Sequence, residues 1–290
     1  MLQRYLLASR PKTLPAAVVP VWVGCVLGWK LSGQFRLSWA LCTLAGAVCI
    51  QIATNYFNDA IDAGKGADTG KRLGPVRATA SGLLPPRAVY GAAVVFVLLA
   101  VLAGLPLVML RGAPILVIGL VSLYFAFGYT GGPFPLAYRG LGELFVILFF
   151  GLVAVTGTVF VQTGGWHWEA AVVGTQAGLL SAVLISINNI RDVEEDRASR
   201  KRTLAVRFGE VAAKRLVVAM TTGAFLLTLC GGALGMPWLP VVCLPVAVLG
   251  ASLCRAVLQS APGERYNFFL ALAAVQLVLF AVGFTVAACI

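Results

Sequence analysis

Nine apolar runs, each close to the length a helix needs to cross a bilayer, divide the chain at 14–28, 38–57, 88–110, 113–129, 144–163, 170–188, 216–235, 238–254 and 268–290. A hydrocarbon core takes about 20 helical residues to span. Inside it every backbone N–H and C=O must be satisfied within the chain, which leaves helices or closed barrels. These runs are continuous rather than alternating apolar with polar, so the expectation is an all-α membrane protein with nine transmembrane helices. With 60% of residues apolar and only 11% charged, too little polar surface remains for a soluble fold. The run at 14–28 is followed by a further span without a small-residue cleavage site, so it reads as the first helix and not as a signal peptide. No low-complexity linker interrupts the chain, which reads as one domain over 1–290.

The basic residues give an orientation. If the N-terminus lies in the cytosol, 19 of the 22 Lys and Arg fall in cytoplasmic segments, and only Lys30, Arg36 and Arg111 lie outside. Short loops that hold Lys and Arg stay on the cytoplasmic side, so the N-terminus is expected inside and the C-terminus outside. The net charge of +11 then belongs to one membrane face, where topology and attraction to anionic lipid explain it without nucleic acid. The seven cysteines lie in or beside apolar runs with no CxxC pair, which indicates neither a disulfide frame nor a zinc site. His167, between Trp166 and Trp168, fits an aromatic interfacial belt.

Seven of the eleven acidic residues form two short strings: Asp59, Asp62 and Asp68, then Asp192, Glu194, Glu195 and Asp196. Both lie at cytoplasmic span ends. Asn55, Asp59 and Asp62 follow one another at helical spacing along one face, and Asn188, Asp192 and Asp196 do the same. The Asn–Asp pair recurs at an offset of 133 residues, a weak internal repeat relating spans one to four with five to eight. Such a repeat brings the two acidic ends together in a bowl of carboxylates.

Crowded carboxylates repel one another and raise one another's pKa unless a cation neutralises them. Oxygen-only ligands select Mg²⁺, which shares its shell with phosphate oxygens. Lys65, Lys71, Arg72 and Arg77 follow the first string, and Arg197, Arg200, Lys201 and Arg202 the second, suiting an anion held partly through metal and partly directly. A diphosphate meets both demands. Glu143, at the mouth of the fifth span after YRGLG, could line the same bowl, but it reads first as an interface acid near a helix N-terminus. The stretch GKGADTGKR at 64–72 misses the glycine spacing of a Walker loop and of a dinucleotide fingerprint, and no strand precedes it.

The segments NDAIDAGKGAD at 58–68 and NNIRDVEEDRASRKRTLAVRFGE at 188–210 resemble the two signature loops of the UbiA superfamily of intramembrane aromatic prenyltransferases. SRPKTLPAAVVPV at 9–21 and YTGGPFPLAYRGLGE at 129–143 are similar to the branch that prenylates 1,4-dihydroxy-2-naphthoate in menaquinone synthesis, and the likeness spans essentially the whole chain. The third acid departs from the general superfamily pattern: it stands six residues after Asp62, at Asp68, and the usual position is Gly66. That longer spacing also resembles the naphthoate branch.

The resemblance implies a nine-helix bundle around a central cavity with a side opening for an isoprenoid tail, placed in the cytoplasmic membrane with its active site facing the cytosol. It implies Mg²⁺ held by Asp59, Asp62, Asp68, Asp192 and Asp196. Asn55 and Asn188 would orient these ligands, and Lys65, Arg72, Arg77, Arg191 and Lys201 would meet the diphosphate or a substrate carboxylate. The implied reaction joins a polyprenyl diphosphate to dihydroxynaphthoate with loss of carbon dioxide. 4-Hydroxybenzoate and homogentisate are the alternative acceptors. A secondary transporter is the rival class, but transporter sites sit near the bilayer midplane and every acid here falls near a span end or in a loop.

Overall fold

A helix is the form in which each apolar run satisfies its own backbone, and every predicted run is helical over most of its length in the computed structural model, which describes residues 1–67 and 73–290; the run at 238–254 is broken at Cys243. The first half comprises α1 (Leu2–Ser9), α2 (Pro15–Ser32), α3 (Leu37–Gly64), α4 (Pro86–Arg111), α5 (Ala113–Gly128) and α6 (Gly142–Thr163). The second half comprises α7 (Trp168–Arg191), α8 (Val193–Ala198), α9 (Leu204–Gly232), α10 (Leu239–Val242), α11 (Leu244–Gln259) and α12 (Tyr266–Cys289). No strand occurs among the described residues.

Seven of these helices are long and apolar enough to cross a membrane: α2, α3, α4, α6, α7, α9 and α12. The predicted fourth and eighth spans correspond to α5 and α11, which have only 16 residues each. At 1.5 Å per residue each covers about 24 Å, short of a core about 30 Å thick. Sequence boundaries also shift. α3 continues to Gly64 and α7 to Arg191, so the polar residues at the ends of both predicted spans are helical.

α7 is the central helix, packed against α2, α6, α9 and α12, while α3 pairs with α4 and α5 on the other side. The α6–α7 contact is close because small residues face each other. A Cβ on Gly178 would stand 2.7 Å from the Ile147 carbonyl oxygen and 3.1 Å from the Gly151 Cα, so a larger residue there would force the backbones apart. Within the same contact α6 widens into a π-helix over Ile147–Val153, a form often found at functional sites. α6 ends at Gly164, where φ is +83° and the amide donates to the Phe160 carbonyl over 2.8 Å; a side chain at that φ is strained. Large apolar side chains face outward along α4 (Val94, Leu98, Leu102, Met109) and α12 (Val275, Val282, Val286). Together with the buried core, that makes these helices apolar on most sides, as in a lipid solvent.

Candidate active site

Because α3 runs on to Gly64, Asn55, Asn58, Asp59 and Asp62 share one continuous helix. Their partners nonetheless differ. Both oxygens of Asp59, which is 1% exposed, accept backbone N–H bonds, from Ala78 at 3.0 Å and Thr79 at 2.8 Å. This pins the following segment against α3 and brings buried Arg77 to 3.7 Å from Asp62. Asp62 also accepts from the Tyr138 hydroxyl at 2.8 Å. The stem of Lys65 is exposed, but its ammonium donates to the Thr130 carbonyl at 2.7 Å and lies 4.1 Å from the centre of the Tyr138 ring. Partial burial pushes this ammonium down from its ordinary range; Asp62 opposes the shift and Lys201 adds to it. The Thr130 hydroxyl donates to Asn58 on the other side. Asn55 faces the N-terminal segment, donating to the Ser9 carbonyl at 2.8 Å and the Thr13 hydroxyl at 3.0 Å.

The second string is divided by a break in the helix. α7 stops at Arg191, Asp192 takes a non-helical conformation, and α8 begins at Val193. Even so, the Asp192 amide donates to the Asn188 carbonyl at 3.1 Å and the Asp196 amide to the Asp192 carbonyl at 2.8 Å, so the four-residue spacing carries across the turn. The Asp192 carboxylate pairs with Arg191 through two bonds of 2.7 Å. Arg191, 2% exposed, also donates to Asn188 at 2.8 Å and Asn267 at 2.7 Å, so its charge is consumed within the frame. Asn267 in turn donates to the Leu73 carbonyl, tying α12 to the segment after α3.

The two strings meet at Lys201. Its ammonium lies 3.9 Å from Asp62 and 3.8 Å from Asp196. The ion pairs from Lys201 to Asp62 and Asp196 are about 1 Å longer than a charge-assisted hydrogen bond. Lys65, Arg77 and Lys201 stand beside these carboxylates, basic groups of the kind that meet phosphate oxygens.

Below the carboxylates lies an apolar cavity of about 280 Å³ bounded by α2 to α6. Thr54 lines its upper part and Gly46 its deeper part, about 12 Å and 24 Å along α3 from Asp62. An aromatic series connects cavity and bowl: Phe149 stacks on Phe145 at 4.4 Å, Phe125 meets both at 5.1 to 5.2 Å, and Tyr129 meets Phe145 at 5.3 Å.

A family model described as the UbiA prenyltransferase family matches residues 17–278. The chain belongs to this family. As a UbiA protein it is a prenyltransferase, and it is similar over most of its length to the 1,4-dihydroxy-2-naphthoate octaprenyltransferase of Mycobacterium tuberculosis, 36% identical over 263 residues that cover 87% of this chain and 86% of that one. The fold agrees with solved UbiA structures. The apo structure of a UbiA homolog from Aeropyrum pernix K1 superposes with a TM-score of 0.74 at 18% identity, covering 96% of this chain and 98% of that one. A homolog from Archaeoglobus fulgidus bound to DMAPP and Mg²⁺ gives 0.67 at 13% identity, covering 99% of each.

In this UbiA chain the residues singled out from sequence divide into three groups. Asp62, Asp196, Lys201, Arg77 and Lys65 come together in one charged cluster. Asp59, Asp192, Asn188 and Arg191 form the frame that holds it, and Asn55 secures the N-terminal segment. Asp68 and Arg72 lie outside the described residues. Among the described residues no three acidic, His or Cys side chains cluster tightly enough to complete a metal site. The donor set still fits a hard cation such as Mg²⁺, which uses few carboxylates and completes its shell with phosphate and water oxygens.

Sequence reasoning missed Tyr138 and Thr130, neutral residues that no spacing rule distinguishes. It also misjudged Glu143. This residue does lie in the first turn of α6, but it is only 4% exposed and accepts from Asn189 at 3.0 Å and Ser186 at 3.4 Å on α7. The helix contact between α6 and α7 draws it inside, away from the interface.

Proposed function

We propose that this prenyltransferase moves a polyprenyl group from an allylic diphosphate to 1,4-dihydroxy-2-naphthoate in an Mg²⁺-dependent reaction, releasing diphosphate and carbon dioxide and giving demethylmenaquinol. The observation that carries the reading is the position of Lys201, between Asp62 and Asp196 and above an apolar cavity. The naphthoate prenyltransferase named among its relatives, and the DMAPP and Mg²⁺ of a fold neighbour, support the substrate and metal classes.

In this mechanism Asp62 and Asp196 would hold the metal together with Asp68. Asp59 and Asp192 keep the frame in place. Mg²⁺ bound there supplies Lewis acidity that turns the diphosphate into a leaving group. Lys201, Arg77 and Lys65, with Arg72, meet the phosphate oxygens, and Tyr138 fixes the Asp62 carboxylate. Phe125, Phe145 and Phe149 keep water from the allylic carbon and offer π faces to the positive charge that develops there. The tail lies in the cavity below. α5 and α11 complete a nine-span bundle, a single domain with a weak repeat, whose N-terminus is cytoplasmic and C-terminus outside and whose bowl opens to the cytosol from the cytoplasmic membrane.

The test is a product analysis. Purified protein with Mg²⁺, a mixture of prenyl diphosphates and several ring acceptors is expected to form prenylated naphthoquinol, with carbon dioxide and diphosphate released in equal amounts. Diphosphate release without carbon dioxide would transfer the assignment to an acceptor such as 4-hydroxybenzoate or homogentisate.

A further inference from the structure

Glu143 is a buried carboxylate that is only half satisfied. Asn189 and Ser186 both donate to Oε1, while Oε2 is buried and accepts no hydrogen bond from any described residue. Leaving a buried acceptor unmade is costly, and more so for a charged group. The α6 N-terminus offsets part of that cost. No Lys or Arg pairs with Glu143 among the described residues, unlike Asp62, Asp192 and Asp196.

The residue adjoins the bowl. At its neighbour Gly142 a Cβ would stand 2.9 Å from the Tyr129 hydroxyl, so that hydroxyl lies directly over the backbone beside Glu143. The same hydroxyl feels the charges of Glu143, Asp62 and Asp196 together. Phe145, two residues on, stacks on Phe149 and lines the cavity. Glu143 thus stands where the aromatic series reaches the carboxylates, close to the place a prenyl carbon and a ring must meet.

An anionic oxygen in this position repels a diphosphate, and relief comes from an O–H donor. A prenyl diphosphate brings none once it is ionised, whereas a hydroxylated aromatic acceptor does. We propose that Glu143 is the catalytic residue that receives a ring hydroxyl of the acceptor on its free Oε2 and takes that hydroxyl's proton during transfer. As a ring carbon forms its bond to the allylic carbon, the allylic C–O bond breaks and its electron pair leaves with the diphosphate. The O–H electron pair moves into the ring to make a carbonyl, and the proton passes to Oε2. This inference rests on the prenyl-transfer reading.

The test is Glu143→Gln in the full chain in detergent micelles. It keeps the oxygen bonded to Asn189 and Ser186 and replaces the free acceptor with a donor. Mg²⁺-dependent binding of prenyl diphosphate without acceptor is expected to stay within about twofold, while kcat/KM for the acceptor falls about 100-fold or more, the range for loss of a general base. Glu143→Asp, which withdraws the oxygen by one methylene, guards against a folding failure and is expected to lose at least about tenfold in the same ratio. Acceptor kcat/KM within about threefold of the parent in either variant would overturn the proposal, because a Glu143 that only accepts from Asn189 and Ser186 is mimicked by Gln. Loss of prenyl diphosphate affinity in step with turnover would overturn it too. Parent turnover with any hydroxylated ring is the separate measure of the underlying reading: if the parent has none, both fall, and if the parent is active with Gln unaffected, only this inference falls.

Discussion

Replacing Lys201 with Gln gives the substrate-free and substrate-bound enzyme opposite responses. Two carboxylates from distant parts of the chain lie 3.9 and 3.8 Å from one ammonium that is 18% exposed. At an effective dielectric near 20, a unit charge pair at this separation is worth about 4 kcal/mol before desolvation is subtracted, and the net per pair is a fraction of that. Without the ammonium, Asp62 and Asp196 face each other as like charges, and a divalent cation no longer competes with it. Mg²⁺ alone is therefore expected to bind Lys201→Gln about tenfold more tightly, a gain of about 1.4 kcal/mol and well within the released interaction. The diphosphate loses a charged hydrogen-bond donor worth about 1.5–3 kcal/mol, so at saturating Mg²⁺ its Kd rises about 10- to 150-fold. Titration calorimetry of the solubilised protein reads both numbers. Unchanged or weaker Mg²⁺ affinity, or a prenyl diphosphate Kd within twofold of the parent, would refute the placement of Lys201 between the strings.

Asp59→Ala leaves the amides of Ala78 and Thr79 without acceptors, at about 1–3 kcal/mol each, and releases Arg77; a lower thermal midpoint with at least tenfold loss of turnover is expected, and an unaltered midpoint counts against its framing role. Tyr138→Phe removes one bond to the Asp62 carboxylate and is expected to lower kcat/KM about tenfold with the unfolding midpoint preserved, a split that steady-state kinetics and a melt resolve. Gly46→Phe fills the deep end of the cavity, about 24 Å along α3 from Asp62, so mass analysis of products should show long prenyl donors lost and short ones retained; equal loss of both would place the tail elsewhere.

The helices were legible because lipid leaves an apolar run of this length little alternative to helix. The convergence of the two acidic strings was legible too, in the recurrence of Asn and Asp at helical spacing. The separate fates of those residues were not. Asn55 and Asp59 share a face of α3, yet one reaches back to Ser9 and the other forward to Ala78 and Thr79. These partners are backbone groups whose positions depend on loops, and side-chain type carries no mark of them. Asp59 and Asp192, 133 residues apart, also differ in detail for the same reason: one takes two amides and the other a guanidinium. The short lengths of α5 and α11 were already visible in the runs at 113–129 and 238–254, which hydropathy alone counts as spans. Glu143 offered a faint signal, an acid at the mouth of an apolar run whose only plausible buried donors, Ser186 and Asn189, lie three apart on α7. Recognising that pairing required knowing that α6 and α7 touch.

That carboxylates from α3 and α8 grip one metal–diphosphate unit is tested most directly by a double-mutant cycle on prenyl diphosphate binding at fixed Mg²⁺, with Asp62→Asn, Asp196→Asn and both together. Each single change should weaken binding at least tenfold, with a coupling above about 1 kcal/mol between them, as for residues that share a ligand. Effects that add to within about 0.3 kcal/mol, or a single variant that binds like the parent, would mean the two carboxylates do not act on the same ligand.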